Sequence, residues 1–187
     1  MELHSILATV CESISYKDIN GARAKLVSEA PFKPVIRHRR QYNDVQALSI
    51  YRRDGFIDRY SGEPLVFPGT LRLLSYYLPD AFPYHSNWHT SHTHFAYWEM
   101  YPTLDHIIPI ARGGTDEEEN WVTTSQLYNS AKGQWLLSEL GWRLHATGNL
   151  EEWDGLFSWF LRQVDNDKAV ISIPYIQRWF RAAKKYR

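Results

Sequence analysis

One short stretch of the chain constrains its fold more than any other. Residues 103–110 are rich in branched side chains and alternate loosely, which predicts a β-strand. The paired glycines Gly113 and Gly114 predict a turn, because glycine supplies positive φ at little cost. Residues 121–123 then form a short return strand. The stretch therefore predicts a β-hairpin.

A helix is predicted directly after this hairpin. Thr124 or Ser125 can cap its beginning, and the pattern continues to about Leu140, where Gly141 ends it. On this helix Asn129 and Lys132 are three residues apart and share one face. A different stripe recurs every four residues, and we expect it to pack against the hairpin: Leu127, Ala131 and Trp135.

The hairpin and the helix carry a set of polar side chains that suits phosphodiester hydrolysis. His106 can serve as a base near neutral pH, and Asp105 and Asn129 offer oxygen ligands to magnesium or manganese. Asn120 can hold the imidazole or tie down the loop, and Lys132 can contact a phosphate. Neighbouring strand residues point to opposite faces, so Asp105 and His106 share a site only if a bulge or the end of the strand lies near Asp105.

This spacing resembles the HNH nuclease family. The residues that carry the resemblance are Asp105-His106-Ile107-Ile108-Pro109, Arg112-Gly113-Gly114, Asn120-Trp121, Asn129 and Lys132. The resemblance implies an α+β fold, in which a ββα-metal (His-Me finger) hairpin and helix are embedded in N- and C-terminal helices. It further implies that His106 is the general base, that Asn120 orients it, and that Asp105 and Asn129 bind one divalent cation, Mg²⁺ or Mn²⁺.

An upstream segment extends the resemblance. Residues 52–62 look like the family segment that carries a Cys-x-x-Cys zinc knuckle, and a second pair would follow Asn120. The four cysteine positions are occupied here by Asp58, Ser61, Ser125 and Tyr128. A structural zinc is therefore not expected, and packing of the Trp-, Tyr- and Pro-rich stretch 64–102 is predicted to hold the loops instead.

Four histidines precede the hairpin: His85, His89, His92 and His94. Imidazole is a common zinc ligand, so a structural zinc and a direct role in the active site are two open interpretations. The favoured interpretation is a loop with scattered polar histidines.

The charge balance gives no general support to nucleic-acid binding, because 21 basic and 21 acidic residues cancel. Basic residues nevertheless cluster in three groups, at 37–40, 52–59 and 178–187. Each group is either a solvated face or part of one surface that follows phosphates. In the second interpretation Arg52, Arg53 and Arg112 join Lys132 as DNA contacts.

Length and composition favour one domain over 1–187, with an N-terminal helical part (1–50), an HNH core (51–145) and a C-terminal helical part (146–187). Helices are expected within 2–29, 41–53, 71–77, 150–164 and 174–185, with a break near Asn20 and Gly21. Aromatic residues make up 15%, which predicts a core of large rings. The chain shows no signal peptide or long apolar run, so a cytoplasmic protein without a membrane partner is expected.

The expected function is divalent-metal-dependent hydrolysis of DNA, in an enzyme of restriction or phage-related type. Cutting both strands with a single site would suggest a homodimer. Two alternatives remain open: a non-catalytic nucleic-acid-binding module on an HNH fold, and an RNA-directed nuclease. The joint presence of His106, Asp105 and Asn129 argues against the binding module, and the zero net charge argues mildly for it.

Overall fold

A computed structural model of the protein describes residues 2–32 and 42–186. The chain divides into two compact units, Met1–His38 and Arg39–Arg187. The single-domain interpretation stays a prediction, and each unit is described by itself. The basic group at 37–40 lies outside the described residues.

The first unit contains two helices, α1 (Leu3–Ser15) and α2 (Ile19–Glu29). Among the described residues, their shared core is small: Ile6, Val10 and Ala22 are buried, and Leu26 and Ala30 pack against them. The break between them falls a few residues before the predicted one, because Lys17 takes a φ of 62° and the Asp18 side chain caps α2 by accepting from the Gly21 amide.

The second unit mixes helices with a two-stranded antiparallel sheet, so the predicted α+β class is confirmed at this level. Its elements follow in this order: α3 (Asp44–Arg53), α4 (Pro68–Tyr77), α5 (Ala96–Glu99), β1 (Pro102–His106), β2 (Trp121–Ser125), α6 (Gln126–Lys132), α7 (Leu137–Leu140), α8 (Phe157–Asn166) and α9 (Pro174–Ala183).

The sheet runs without interruption to the end of β1. Asp105 pairs with Val122 and His106 pairs with Trp121, so the hairpin has no bulge at Asp105, and the strand ends at the next residue, His106. The two neighbouring side chains therefore leave the strand on opposite faces. The prediction that the strand continues to Ile110 is wrong, because β1 ends at His106 and a 3-10 turn occupies Ile110–Arg112.

One face of the sheet packs on the aromatic core. Leu104 and Trp121 belong to the same buried cluster as residues of α3, α8 and α9. Phe67 lies inside this cluster, with its ring centroid 4.9 Å from that of Phe160 and 5.4 Å from that of Trp179. Both pairs are edge-on, and rings in this arrangement stabilise a core beyond the area that they bury.

A second aromatic cluster lies under the Pro-rich stretch. Tyr97 is fully buried there, packs near Val66 and Leu71, and donates its hydroxyl to the Leu71 carbonyl at 3.0 Å. Burial raises the pKa of Tyr97 to about 12, because the phenolate would lose its hydration.

The other face of the sheet packs on α6, which is shorter than predicted. This helix ends at Lys132 because Gly133 leaves the helical conformation with a φ of 50°. Ser125 caps its beginning, as one of the two predicted caps, and Gly141 ends the separate helix α7. The stripe expected to pack on the hairpin is exposed instead: Leu127, Ala131 and Trp135.

Within residues 2–32 and 42–186, no helix combines the length and the apolar character needed to cross a membrane.

Candidate functional site

The Asp105 carboxylate lies on the α6 face of the sheet and is almost fully buried. Its Oδ2 atom accepts from the Tyr60 hydroxyl at 2.8 Å and pairs with the Lys132 ammonium at 2.9 Å. Burial, followed by the negative charge of Asp105, raises the pKa of Tyr60, so the phenol stays protonated and donates. One carboxylate oxygen is thereby held by two donors.

Lys132 links α6 to the end of β1. Its ammonium also donates to the His106 carbonyl at 2.7 Å, and none of its surface is exposed. The sequence suggested Lys132 as a phosphate contact, whereas in the structure its charge is committed to Asp105 and to the strand backbone. Because a buried ammonium needs such partners, this position fixes the end of the strand.

Asn129 lies one turn before Lys132 and also faces β1. Its side-chain nitrogen donates to Thr103 Oγ1 at 2.9 Å and to the Leu104 carbonyl at 3.3 Å. The amide oxygen is therefore turned away from these acceptors. Within the described residues, no hydrogen bond uses Oδ1 of Asn129 or Oδ1 of Asp105. Two oxygen atoms suited to a hard cation thus remain on this side of β1.

His106 is the last residue of β1 and faces the core side of the sheet. Its ring is 5% exposed, and its Nε2 atom lies 2.8 Å from Asp116 Oδ1. The Trp121 indole nitrogen lies 3.1 Å from both of these atoms. An ionised carboxylate only accepts hydrogen bonds, so the short contact requires the proton on Nε2. Nδ1 is then the nitrogen that can accept a proton.

Asp116 is a residue that the sequence interpretation missed. It belongs to the acidic run 116–119, which has the composition of a solvated loop. Only the fold brings it back over His106, ten residues earlier in the chain. Its position four residues before Asn120, directly after the Gly-Gly turn, was the one available signal. A carboxylate behind a histidine fixes the tautomer and the orientation of the ring.

Asn120 takes the second of its two predicted roles. Its side chain accepts from the Ile108 amide at 2.9 Å and donates to the carbonyls of Ile108 and Thr115. These bonds tie the loop between the strands, while the side-chain contacts to the His106 ring come from Asp116 and Trp121.

The turn between the strands needs its two glycines for different reasons. Gly113 has a φ of 91°, as predicted for the pair, and a Cβ there would meet open space. Gly114 has an ordinary φ, but a Cβ would collide with the Ile108 carbonyl and approach the Asn120 amide nitrogen. Close packing against the loop therefore selects glycine at 114.

Asp58 connects the two loops in which the resemblance to the HNH family would place the cysteine pairs. Its buried carboxylate accepts from the Tyr60 amide at 2.8 Å, the Ser125 amide at 2.8 Å and the Thr124 hydroxyl at 3.0 Å. The Ser61 amide lies 3.3 Å from the same group. The sequence interpretation expected apolar packing alone to hold these loops, and the structure adds this hydrogen-bonded carboxylate.

The three arginines that were predicted to contact DNA differ in their surroundings. Arg53 ties α3 to the sheet, because it donates to Asp54 and to the carbonyls of Glu118 and Trp121. Arg52 lies over the Phe157 and Tyr186 rings. Arg112 is 39% exposed and pairs with Glu139 at the surface. Arg53 is equally exposed, at 40%, but its guanidinium is held by three partners, whereas the surface ion pair of Arg112 is weak and leaves it the more available to a ligand.

The histidine loop adopts an ordered but exposed arrangement. His85 lies 4.6 Å from His89 and 6.3 Å from His92 between ring centroids, and His94 stacks on Phe82. Across the part of the chain that the structure describes, no three His, Cys, Asp or Glu side chains are arranged to hold a metal ion.

The predicted residues thus form two adjoining groups at the end of β1. Asp105, Asn129 and Lys132 lie on the α6 face, and His106 lies on the other face with Asp116 and Trp121. The Lys132 bond to the His106 carbonyl joins the two groups.

Comparison with known families agrees with the interpretation drawn from these residues. Residues 86–134 match the family model described as HNH endonuclease, so the resemblance to this family is confirmed over that range. The matched range contains both strands and α6, but not the upstream segment 52–62. No curated protein and no solved structure matches the chain.

The match covers 49 of the 187 residues and concerns the domain that contains the candidate site. An HNH domain indicates nuclease activity in general and implies binding of nucleic acid, and it gives no support to a homodimer.

Proposed function

We propose that the protein is a divalent-metal-dependent endonuclease that hydrolyses DNA phosphodiester bonds. In this proposal β1, β2 and α6 form the ββα-metal core. The observation that carries it is the Asp105–His106 pair at the end of β1, which Lys132 binds through both a carboxylate and a carbonyl. The HNH match over the same elements supports this proposal.

His106 acts as the general base. With its Nε2 proton directed at Asp116, Nδ1 takes a proton from the attacking water. Because His106 is the last residue of the strand, its ring and the Asp105 carboxylate approach the strand end from two faces. We propose that the scissile phosphate lies across this end.

Asp105 and Asn129 would hold one magnesium or manganese ion through their Oδ1 atoms. This donor set fits such an ion, which commonly uses one or two protein oxygens and keeps several waters. When bound, the metal neutralises the charge that develops on the phosphate and the leaving oxygen. Lys132 positions Asp105 by holding Oδ2, which leaves Oδ1 for the metal.

Arg112 is proposed to contact the DNA backbone. Its exposed pair with Glu139 can exchange for a phosphate, since a surface pair contributes little. Arg53 and Lys132 are instead proposed to position the sheet and the site.

The direct test is cleavage of a plasmid by the full chain and by His106→Ala. Loss of the base is expected to lower cleavage about 10²–10⁴-fold, while DNA binding stays unchanged and the variant, which loses a buried ring, keeps its fold with a lower thermal unfolding midpoint. Unchanged cleavage in the variant would remove His106 from the mechanism.

Metal removal tests the second half of the proposal. We expect EDTA to stop cleavage, and Mg²⁺ or Mn²⁺ to restore it. An Asp105→Asn variant should need a higher Mn²⁺ concentration, and a direct binding titration with Mn²⁺ should give a raised Kd. Cleavage that persists in EDTA would contradict a metal at Asp105 and Asn129.

A further inference from the structure

A cavity of about 590 Å³ opens beside the beginning of α6. We call it the α6 pocket, and its argument rests on six of its lining residues: Glu63, Glu99, Met100, Leu127, Tyr128 and Trp153. Its volume lies within the range of about 300–1,000 Å³ that is typical of small-molecule sites. The proposed nuclease mechanism uses none of these six side chains.

The walls of the α6 pocket are apolar and largely fixed by other contacts. The Trp153 indole donates to the Leu65 carbonyl at 2.8 Å, which sets the orientation of the ring. The Tyr128 ring packs on Trp142, with 5.4 Å between centroids. Met100 and Leu127 complete an aliphatic surface between them. A ligand would therefore find a preformed site for an apolar body.

The charge of the α6 pocket is entirely acidic. Glu63 and Glu99 are exposed, and within the described part of the chain no ion pair uses either carboxylate. Asp58 also lines the pocket, but its oxygens already accept from two amides and a hydroxyl at 3.0 Å or less. Among the residues that the structure describes, no lysine or arginine lines the pocket. Such a field repels phosphate and favours a cation.

We propose that the α6 pocket binds a small organic cation, in which an ammonium or guanidinium-type group is carried on a flat apolar body. The apolar body would lie between Trp153, Tyr128 and Met100, where a cation also gains from the aromatic faces. Its charged group would meet Glu63 and Glu99. The proposal goes beyond the nuclease function and does not depend on it.

Occupation of the α6 pocket would act on the helix that carries the candidate site. Ser125, Leu127 and Tyr128 form the cap and first turn of α6, and Asn129 follows directly. A ligand that packs on this turn stabilises α6 in its place against β1. The expected consequence is a higher unfolding midpoint with bound cation.

The test compares benzamidinium with benzamide, which has nearly the same shape but no charge. Both are titrated into the full-length protein and followed by amide NMR shifts. We expect benzamidinium to bind at least about tenfold more tightly, with the largest shifts at Glu63, Glu99 and Leu127. The double variant Glu63→Gln/Glu99→Gln should lose this preference.

Two further variants make the result decisive. Glu117→Gln/Glu119→Gln removes two carboxylates that do not line the pocket and should keep the preference. Leu127→Trp fills the cavity without changing charge and should lose both ligands. Equal binding of the two ligands, a preference that survives Glu63→Gln/Glu99→Gln, or no benzamidinium binding would each overturn the proposal.

Discussion

A single carboxylate behind His106 decides which ring nitrogen can act. Asp116 is 32% exposed in its side chain, whereas the imidazole is almost fully enclosed, so the pair spans the boundary between solvent and core. The Trp121 indole lies against both groups and limits rotation of the ring. Because the ring is already held in one orientation, a proton transfer to it would not require a further loss of side-chain conformational entropy.

Asp116→Asn is expected to lower kcat about 10–100-fold with little change in KM. The amide can turn either its oxygen or its nitrogen to Nε2, so the histidine no longer has one enforced tautomer. Steady-state cleavage kinetics measure this effect, and the ¹⁵N shifts of the His106 ring report the tautomer independently. Glu117→Gln, in the same acidic run, is the matched control and should behave like the wild type.

At the residue scale, the sequence identified the candidate residues that belong to a motif. It missed the residues that only the fold brings close to the candidate site. Asp105, His106, Asn120, Asn129 and Lys132 stand at recognisable spacings. Asp116 and Tyr60 do not, because an acidic loop and a tyrosine have no distinctive pattern of their own. The burial of Lys132 could not be predicted either, because the periodicity of a helix defines its faces but does not say which face packs against the rest of the protein.

At the scale of elements, the loop between β1 and β2 depends more on the close packing of Gly114 against Ile108 and Asn120 than on the type of turn. Gly114 lies beside the hydrogen bond from the Asn120 amide to the Ile108 carbonyl, so any side chain at position 114 would displace these two groups. The neighbouring Gly113 supplies only a backbone conformation.

Gly114→Ala is expected to reduce the free energy of unfolding by about 1–3 kcal/mol and to abolish cleavage, because the added methyl group pushes Asn120 from the loop. Gly113→Ala adds only backbone strain of about 1–2 kcal/mol and should keep measurable cleavage. Chemical denaturation and plasmid cleavage of both variants separate the two cases. Equal activity in the two would contradict a positioning role for Gly114.

The Asp58 carboxylate holds two loops and the cap of α6 at once. Asp58→Ala leaves several buried donors without an acceptor, so we expect a loss of about 3 kcal/mol in the free energy of unfolding. Unfolding of the variant and of the wild type measures this loss. Separately, thermal unfolding of the wild type should give the same midpoint with and without a zinc chelator. A stoichiometric zinc found by elemental analysis would contradict this assignment.

At the scale of the whole molecule, the candidate site and its supporting core lie within the second unit. The buried cluster around Phe67 and the elements from β1 to α6 are all contained in Arg39–Arg187. Among its described residues, the first unit buries Ile6, Val10 and Ala22, with Leu26 and Ala30 packed against them, which is a small core for two helices.

A chain beginning at residue 39 is therefore expected to fold and to unfold cooperatively. Its far-ultraviolet circular dichroism should show a single thermal transition, and its plasmid cleavage should remain within about tenfold of the full chain. A truncated chain that fails to fold would show that the second unit needs the first.

The order of helices and strands was largely predictable, whereas their ends were not. The strand β1 stops early and α6 is cut short at Gly133, because tertiary contacts and one glycine outweigh the local pattern. The packing face of α6 was also predicted wrongly, since a polar face with Asn129 and Lys132 covers the sheet while the apolar stripe stays outside. Hydrogen bonds rather than apolar area select that face.

The loops beside the candidate site are held by the Asp58 carboxylate, which has a consequence for the redox chemistry of the protein. The chain contains a single cysteine, Cys11, which is exposed on α1 and belongs to the first unit. Peroxide, disulfide stress and thiol-modifying electrophiles attack sulfur, and a carboxylate is inert to all of them. The fold around the candidate site should therefore persist in an oxidising surrounding that would dismantle a cysteine-bound zinc.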